Sequence, residues 1–262
     1  RGRALELEWQ RGTHPSLAAM LGDWRRDVEE GRRPATVFNA TLAEAGEPLL
    51  LSTVDHPRRQ TRWRSFPSLY DGYDIPVATA ARLSATFPFV TPAARAYFED
   101  KGDQPEPQYH VVDGGYYDNY GIATLVEWLD AALEKCGREV KEVMVIRIHG
   151  IPVEAEARPD GGRGFFYQLT VPISTLDSVR GPGQLSHSRV ELELLKRNWG
   201  EKGVSIESAT FEFPKSNDPA EQPPLSWHLT EKQKQAIERA WQTDFLDNPQ
   251  SEIGKVKLFL GR

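Results

Sequence analysis

The sequence contains one cysteine, Cys136, in 262 residues, so no disulfide can form within the chain. It contains no apolar run close to the roughly 20 residues of a membrane-spanning helix and no visible signal peptide. A surplus of basic residues is also missing, because 38 acidic residues against 32 basic ones give a net charge of -6. Proteins that bind a phosphate backbone usually need a basic face, so we expect no nucleic-acid partner.

The composition is that of a folded domain. Hydrophobic residues account for 39% and charged residues for 27%, and the length suits one large domain or two small ones. The first residue is Arg1, and we expect residues upstream of it, although a processed N-terminus would give the same beginning. We expect the chain as given to be soluble. Its location stays open, because an anchor further upstream would bring it to a membrane surface.

Hydrophobic spacing predicts alternating helices and strands. Residues 142–148 (EVMVIRI) form a continuous apolar run with one arginine, which is typical of a buried parallel strand. A strand, a glycine turn, a helix and this strand follow one another from 109 to 148, so we expect a βαβ unit there. The predicted helices cover residues 16–29, 77–86, 122–133, 165–179, 184–199 and 231–245, and the predicted strands cover 35–41, 48–54, 109–112, 142–148 and 204–213.

The segment that carries chemistry is Asp113-Gly114-Gly115, followed by Asn119. A strand would deliver Asp113 to the sheet edge where α/β proteins bind ligands. The two glycines remove side chains and let other backbone or a substrate approach, and Asn119 can cap the next helix. Asp-Gly pairs also cap turns without any chemistry, and the pattern taken alone favours that alternative.

Two segments of the chain resemble the patatin-like phospholipase family. The Asp-Gly-Gly with an asparagine six residues after the aspartate is similar to the family's second signature, and residues 80–88 (AARLSATFP) resemble an Ala/Arg/Ser/Phe-Pro segment that precedes it. Residues 224–227 (PLSW) resemble the C-terminal region of bacterial members. The resemblance is good over 35–148 and loose elsewhere. Residues 1–262 are therefore interpreted as the C-terminal portion of one patatin-like catalytic domain, with 150–262 as a loosely matched helical and strand extension.

The resemblance implies an α/β fold with a largely parallel central sheet flanked by helices. It also implies a serine–aspartate dyad, in which a serine on a Gly-x-Ser-x-Gly turn attacks an acyl ester and the aspartate handles its proton. A Gly-rich loop would form the oxyanion hole. Asp113 matches the catalytic aspartate. The turn would be formed by Gly114, Gly115 and Asn119, and the acyl cleft would be lined by Ser84, Phe87 and Pro88.

Two features of the family are missing from these 262 residues. The chain contains neither a Gly-x-Ser-x-Gly turn nor a Gly-rich loop before Asp113, and both lie further upstream in the family. Gly121 stands where many plant members have proline. Ser84 is not in a nucleophile turn, and a helix serine with a satisfied hydroxyl is the simpler interpretation. We therefore expect the nucleophile upstream of Arg1, and we expect this chain alone to be inactive.

The sequence leaves two functional hypotheses. The first is a lipid acyl-ester hydrolase, a phospholipase or esterase that acts on a lipid or other acyl ester through an acyl-enzyme. The second is a catalytically inactive lipid-binding or regulatory module of the same fold. Neither needs a cofactor, and both allow contact with a membrane surface. The six histidines show no metal-binding spacing, so we expect no metal site.

Overall fold

A computed structural model gives the fold of the chain. The residues group into two compact units, and each unit is described by itself. The first unit comprises the described residues of Arg1–Trp128 and Asp177–Gln184, and the second those of Leu129–Leu176 and Leu185–Arg262. The structure describes residues 2–12, 15–56, 63–86, 92–95, 109–137, 139–149, 183–212, 216, 218–221, 229–248 and 250–261.

The helices of the first unit are short, except for the last. Their bounds are Gly2–Arg11 (α1), Leu21–Glu29 (α2), Phe66–Leu69 (α3), Val77–Ser84 (α4), Gly115–Asp118 (α5) and Ile122–Cys136 (α6), which continues into the second unit. The helix predicted at 77–86 is α4, two residues shorter than expected. The helix predicted at 16–29 is also shorter, because a 3-10 turn at Pro15–Leu17 precedes α2. The sequence analysis does not predict α1.

Five strands of the first unit form one mixed sheet. They are Val37–Leu42 (β1), Glu47–Ser52 (β2), Arg64–Ser65 (β3), Ala94–Arg95 (β4) and His110–Asp113 (β5), in the order β3-β2-β1-β5-β4. β1 pairs antiparallel with β2 and β5, β4 pairs antiparallel with β5, and β2 and β3 are parallel. The fold is therefore mixed α/β, as predicted, but the expectation of a largely parallel central sheet is wrong for the described strands.

The antiparallel pairing of β1 and β2 follows from their short connection. Leu42 ends β1 and faces Glu47, which begins β2. A loop of this length, residues 43–46, joins antiparallel strands easily, whereas parallel neighbours need a crossover of a dozen or more residues. Gly46 has a φ of 63°, a left-handed conformation that favours glycine. The sequence predicts both strands correctly but does not predict their partners.

The sheet of the first unit is buried on both faces. On one face an apolar cluster joins the sheet to α4, and its members include Ala40, Leu42, Leu49, Leu51, Val77, Ala80, Leu83 and Val111. The opposite face is buried as well, since Thr41 and Leu50 are 5% and 0% exposed. Successive strand residues point to opposite faces. Asp113 lies two residues after Val111 in β5, and it therefore lies on the same face of the sheet as Val111. This is the face that packs against α4.

The second unit contains a two-stranded parallel sheet. Its strands are Glu142–His149 (β6) and Ser205–Glu212 (β7). Its helices are Gln184–Glu201 (α7), whose first residue is assigned to the first unit, Glu231–Ala240 (α8) and Glu252–Leu260 (α9), with a 3-10 turn at Pro219–Glu221 and a π-helical turn at Trp241–Leu246. The strands and the first two helices agree with the predicted ones, and α9 is not predicted.

The predicted βαβ unit across 109–148 is wrong, because β5 and β6 belong to different sheets. β6 is parallel to β7 instead, and α7 lies between them in the chain. The prediction of a parallel strand at 142–148 is confirmed, but complete burial is not. Val145 and His149 are buried, whereas Ile146 and Ile148 are 50% and 80% exposed.

The helix predicted at 165–179 lies outside the described residues, and the assignment of 1–262 to one catalytic-domain portion stays a prediction. Within the described residues, no helix combines the length and the apolar character that a membrane span requires.

Candidate active site

Asp113 ends β5, and its backbone is held from two sides. Its Cα atom pairs with that of Ala40 in β1. Its N–H donates to the carbonyl oxygen of Thr86 at 3.2 Å, and the N–H of Gly114 donates to the carbonyl oxygen of Ser84 at 3.2 Å. Ser84 ends α4, so the turn after β5 is attached to the end of that helix. Residues 80–86, the described part of the first sequence segment, therefore meet the segment 113–121 in space.

The carboxylate of Asp113 also bonds to its own turn. Oδ1 accepts the backbone N–H of Gly115 at 2.6 Å, and the residue is half-buried. Gly115 is buried and begins α5. An aspartate that accepts a backbone N–H two residues on is a common turn-forming contact. It fixes the orientation of the carboxylate, which is what a residue that handles a proton requires.

Gly114 lets the turn approach β1 closely. A Cβ atom at this position would lie 2.3 Å from the carbonyl oxygen of Asn39, a distance that real Cβ atoms do not adopt. The backbone of Gly114 is right-handed, with φ -62° and ψ -28°, so glycine is needed here for space and not for conformation. Gly121 differs, because its φ of 67° is left-handed and favours glycine directly.

The helix-capping contact expected of Asn119 is made by its neighbour. Oδ2 of Asp118 accepts the backbone N–H of Thr124 at 2.9 Å, in the first turn of α6. Asp118 is 6% exposed, whereas Asn119 is exposed, and its backbone N–H donates to Oε1 of Gln184 at 2.8 Å. The acidic side chain of Asp118 is therefore the buried one of the two, and it caps the helix.

The residues predicted to line an acyl cleft are only partly described. Ser84 is half-buried at the end of α4, and its carbonyl oxygen contacts the Asp113 turn. Phe87 and Pro88 lie outside the described residues.

Two polar residues of this region were not singled out by the sequence. Asn39 lies in β1, with its Nδ2 atom 3.4 Å from the position of a Cβ atom at Gly121. Its Oδ1 atom is buried and has no hydrogen-bond partner within the described structure. Thr86 is 2% exposed, and its hydroxyl donates to the carbonyl oxygen of Arg82 at 2.9 Å. Asn39 is a polar residue within the largely apolar strand VFNATL, and this position is the feature of the sequence that could have identified it.

No family model and no curated protein matches the sequence. The functional assignment therefore depends on the residues and their contacts. In the part of the chain that the structure describes, no group of three or more His, Cys, Asp or Glu side chains is arranged to hold a metal ion.

Ser208 in β7 contacts a lysine of the same unit. Nζ of Lys196 donates to Oγ of Ser208 at 2.9 Å, which resembles the serine–lysine arrangement of some hydrolases. The same Nζ atom lies 2.8 Å from Oε1 of Glu193. The lysine is therefore shared between an ion pair within α7 and the serine hydroxyl. We interpret this contact as structural.

Proposed function

We propose that Asp113 is the catalytic aspartate of a serine–aspartate dyad in a lipid acyl-ester hydrolase, and that the serine lies upstream of Arg1. The observation that supports this most is the attachment of the Asp113 turn to the end of α4. The N–H groups of Asp113 and Gly114 donate to the carbonyl oxygens of Thr86 and Ser84. Ser84 and Thr86 lie in one of the two segments that resemble patatin-like phospholipases, and Asp113 and Gly114 lie in the other.

In the proposed reaction the serine Oγ attacks the carbonyl carbon of the ester, and Asp113 accepts the serine proton. The tetrahedral intermediate collapses with cleavage of the ester C–O bond. The proton passes to the departing alcohol, and the acyl group stays on the serine. Water then attacks the acyl-enzyme and loses a proton to Asp113. The bond between the acyl carbon and the serine Oγ breaks, the acid leaves, and Asp113 returns the proton to Oγ. The Gly115 N–H keeps the carboxylate in one orientation through both steps.

The substrate class in this proposal is a lipid or another acyl ester. The reaction needs no cofactor, because nucleophile, proton acceptor and water are sufficient. A bacterial enzyme of this class would meet its substrate at a membrane surface or in a micelle. The catalytically inactive lipid-binding module is the second candidate, and it would keep the same turn without the chemistry.

The contact between Asp113 and Gly115 suggests the sharpest test. In Asp113→Asn the side-chain oxygen can still accept the Gly115 N–H, so the turn is kept while the negative charge is lost. If the aspartate only forms a turn, the variant behaves like the wild type. If it handles the serine proton, the variant folds but loses reactivity. Asp71→Asn is the matched control, because Asp71 is exposed in the same unit.

The measurement is labelling of the full-length gene product with a fluorophosphonate, which reacts with activated serines. We expect the wild type and Asp71→Asn to label equally, and Asp113→Asn to label roughly 100-fold or more slowly, as for loss of a general base. The 262-residue chain should not label. Equal labelling of Asp113→Asn and the wild type would refute the assignment. No labelling of any full-length protein, together with sedimentation on lipid vesicles, would favour the binding module.

A further inference from the structure

We infer that α1 positions Asp113 through a series of contacts that runs from Glu6 to Arg82, from Arg82 to Thr86, and from Thr86 to Asp113. In this arrangement Glu6, Arg82 and Thr86 are positioning residues. The effect on catalysis rests on the proposed function. The effect on the geometry of the Asp113 turn is independent of that function.

The first contact is an ion pair between α1 and α4. Nε of Arg82 donates to Oε1 of Glu6, and the two side chains are 13% and 14% exposed. The Arg82 side chain also lies along the beginning of α1, since a Cβ atom at Gly2 would be 3.2 Å from it. An ion pair this well shielded from water is costly to break by removing one partner, because the other charge is then left without compensation.

The second contact passes from side chain to main chain. The carbonyl oxygen of Arg82 accepts the Thr86 hydroxyl at 2.9 Å, and it also accepts the N–H of Ala85 at 3.1 Å. This sharing holds the residues after α4 against its last turn. Thr86 is almost completely buried, with 2% of its surface exposed, so its hydroxyl has no ready access to water.

The third contact reaches the candidate site. The carbonyl oxygen of Thr86 accepts the N–H of Asp113, and that of Ser84 accepts the N–H of Gly114. A movement of the end of α4 therefore moves both acceptors of the Asp113 turn. Because a proton transfer depends steeply on the distance and angle between the groups, a small displacement of the carboxylate lowers the rate.

Thr86 offers a clean pair of variants. Thr86→Val keeps the shape of the side chain but removes the hydroxyl, and the Arg82 carbonyl still has the Ala85 N–H as a partner. Thr86→Ser keeps the hydroxyl. For the ion pair, Glu6→Gln removes the charge with little change in shape. Its control is Glu47→Gln, since Glu47 pairs with Arg64 at 2.7 Å in an exposed position of the same unit.

The first readout is hydrogen exchange of the Asp113 and Gly114 amides in the 262-residue chain, followed by NMR. We expect exchange to be roughly threefold to tenfold faster in Thr86→Val and Glu6→Gln, the effect of one hydrogen bond of ordinary strength. Thr86→Ser and Glu47→Gln should match the wild type. The amide of Leu50 in β2 serves as an internal reference, because general loss of stability would accelerate it too. Unchanged Asp113 and Gly114 exchange, or equal acceleration at Leu50, would overturn the inference.

The second readout is fluorophosphonate labelling of the full-length protein. We expect Thr86→Val and Glu6→Gln to lower the maximal labelling rate. The probe concentration that gives half the maximal rate should stay the same. Thr86→Ser should label at the wild-type rate. If the exchange rates change but the labelling rate of a reactive wild type does not, the catalytic part of the inference is wrong. If the wild type does not label, the proposed function fails, and the exchange data alone decide the positioning.

Discussion

The backbone of Gly114 packs against the carbonyl group of Asn39, at a separation that leaves no room for a side chain. We expect Gly114→Ala to lower the free energy of unfolding by about 1–3 kcal/mol, the usual cost of overpacking. The control is Gly200→Ala in α7, where a Cβ atom would meet nothing within 4 Å and alanine favours the helix. Urea unfolding measures both. Equal stability of the Gly114 variant and the wild type would show that β1 can move away from the turn.

Asp118, and not Asn119, is expected to support the start of α6. In Asp118→Ala the Thr124 N–H loses its acceptor, so we expect a loss of about 1–2 kcal/mol in the free energy of unfolding. Asn119→Ala should change it by less than about 0.5 kcal/mol, because Asn119 is exposed and its described contact is made by the backbone. The same unfolding experiment ranks the two variants. The reverse ranking would contradict the capping role of Asp118.

His56 is expected to make the stability of the chain dependent on pH. Burial lowers the pKa of its imidazole, Asp55 acts in the opposite direction and Arg25 adds to the lowering. Its ring lies 5.0 Å from that of Trp63 in an edge arrangement. Because the pKa is lowered, the folded state favours the neutral imidazole more strongly than the unfolded chain, which takes up a proton below about pH 6.5. The contribution of His56 to the free energy of unfolding is therefore fully present above that pH. It is lost as the pH falls towards the lower pKa of the folded state.

The measurement for His56 is the urea midpoint between pH 7.5 and 5. We expect it to fall less steeply in His56→Phe than in the wild type. His187→Gln is the control, because His187 is exposed on α7, and it should follow the wild type. Burial also lowers the pKa of His149, so part of the fall should remain in the His56 variant. Parallel curves for the wild type and His56→Phe would contradict the prediction.

Thr230 is expected to stabilise α8 through reciprocal capping. Its side-chain oxygen accepts the N–H of Gln233 at 3.3 Å, and Oε1 of Gln233 accepts the N–H of Thr230 at 2.8 Å. Thr230→Ala should lower the free energy of unfolding of the second unit by about 1 kcal/mol, whereas Thr230→Ser should lower it by a few tenths at most. Hydrogen exchange of the backbone amides in α8 measures the local loss of stability. Equal exchange in both variants would argue against the cap.

Local patterns in the sequence predict much of this fold. The two strands around Gly46 and the helices α4 and α8 depend on neighbouring residues, so spacing and turn chemistry are sufficient for them. Strand partners depend on residues far apart in the chain. The apolar run of β6 is compatible with several neighbours, and only the folded chain shows that β7 takes the place expected for β5.

The candidate site shows the same division. The Asp-Gly-Gly motif predicts a strand followed by a tight turn at Asp113, and the structure has both. The contacts of the turn with Ser84 and Thr86 could not be read from spacing, because they are made by main-chain carbonyl oxygens that every residue possesses. Asp118 and Asn119 are equally good caps by composition. Their burial, which depends on the packing of α5, decides which one acts.

The pairing of β1 with both β2 and β5 has a consequence for the order of folding. The hairpin of β1 and β2 needs the closure of a very short loop, whereas the ladder between Ala40 and Asp113 joins residues more than 70 positions apart in the chain. The entropy lost on closing a loop increases with its length, and distant contacts slow folding. Both strands of the hairpin are also synthesised before residue 113. We expect the aspartate to acquire its geometry late, on a hairpin that is already in place.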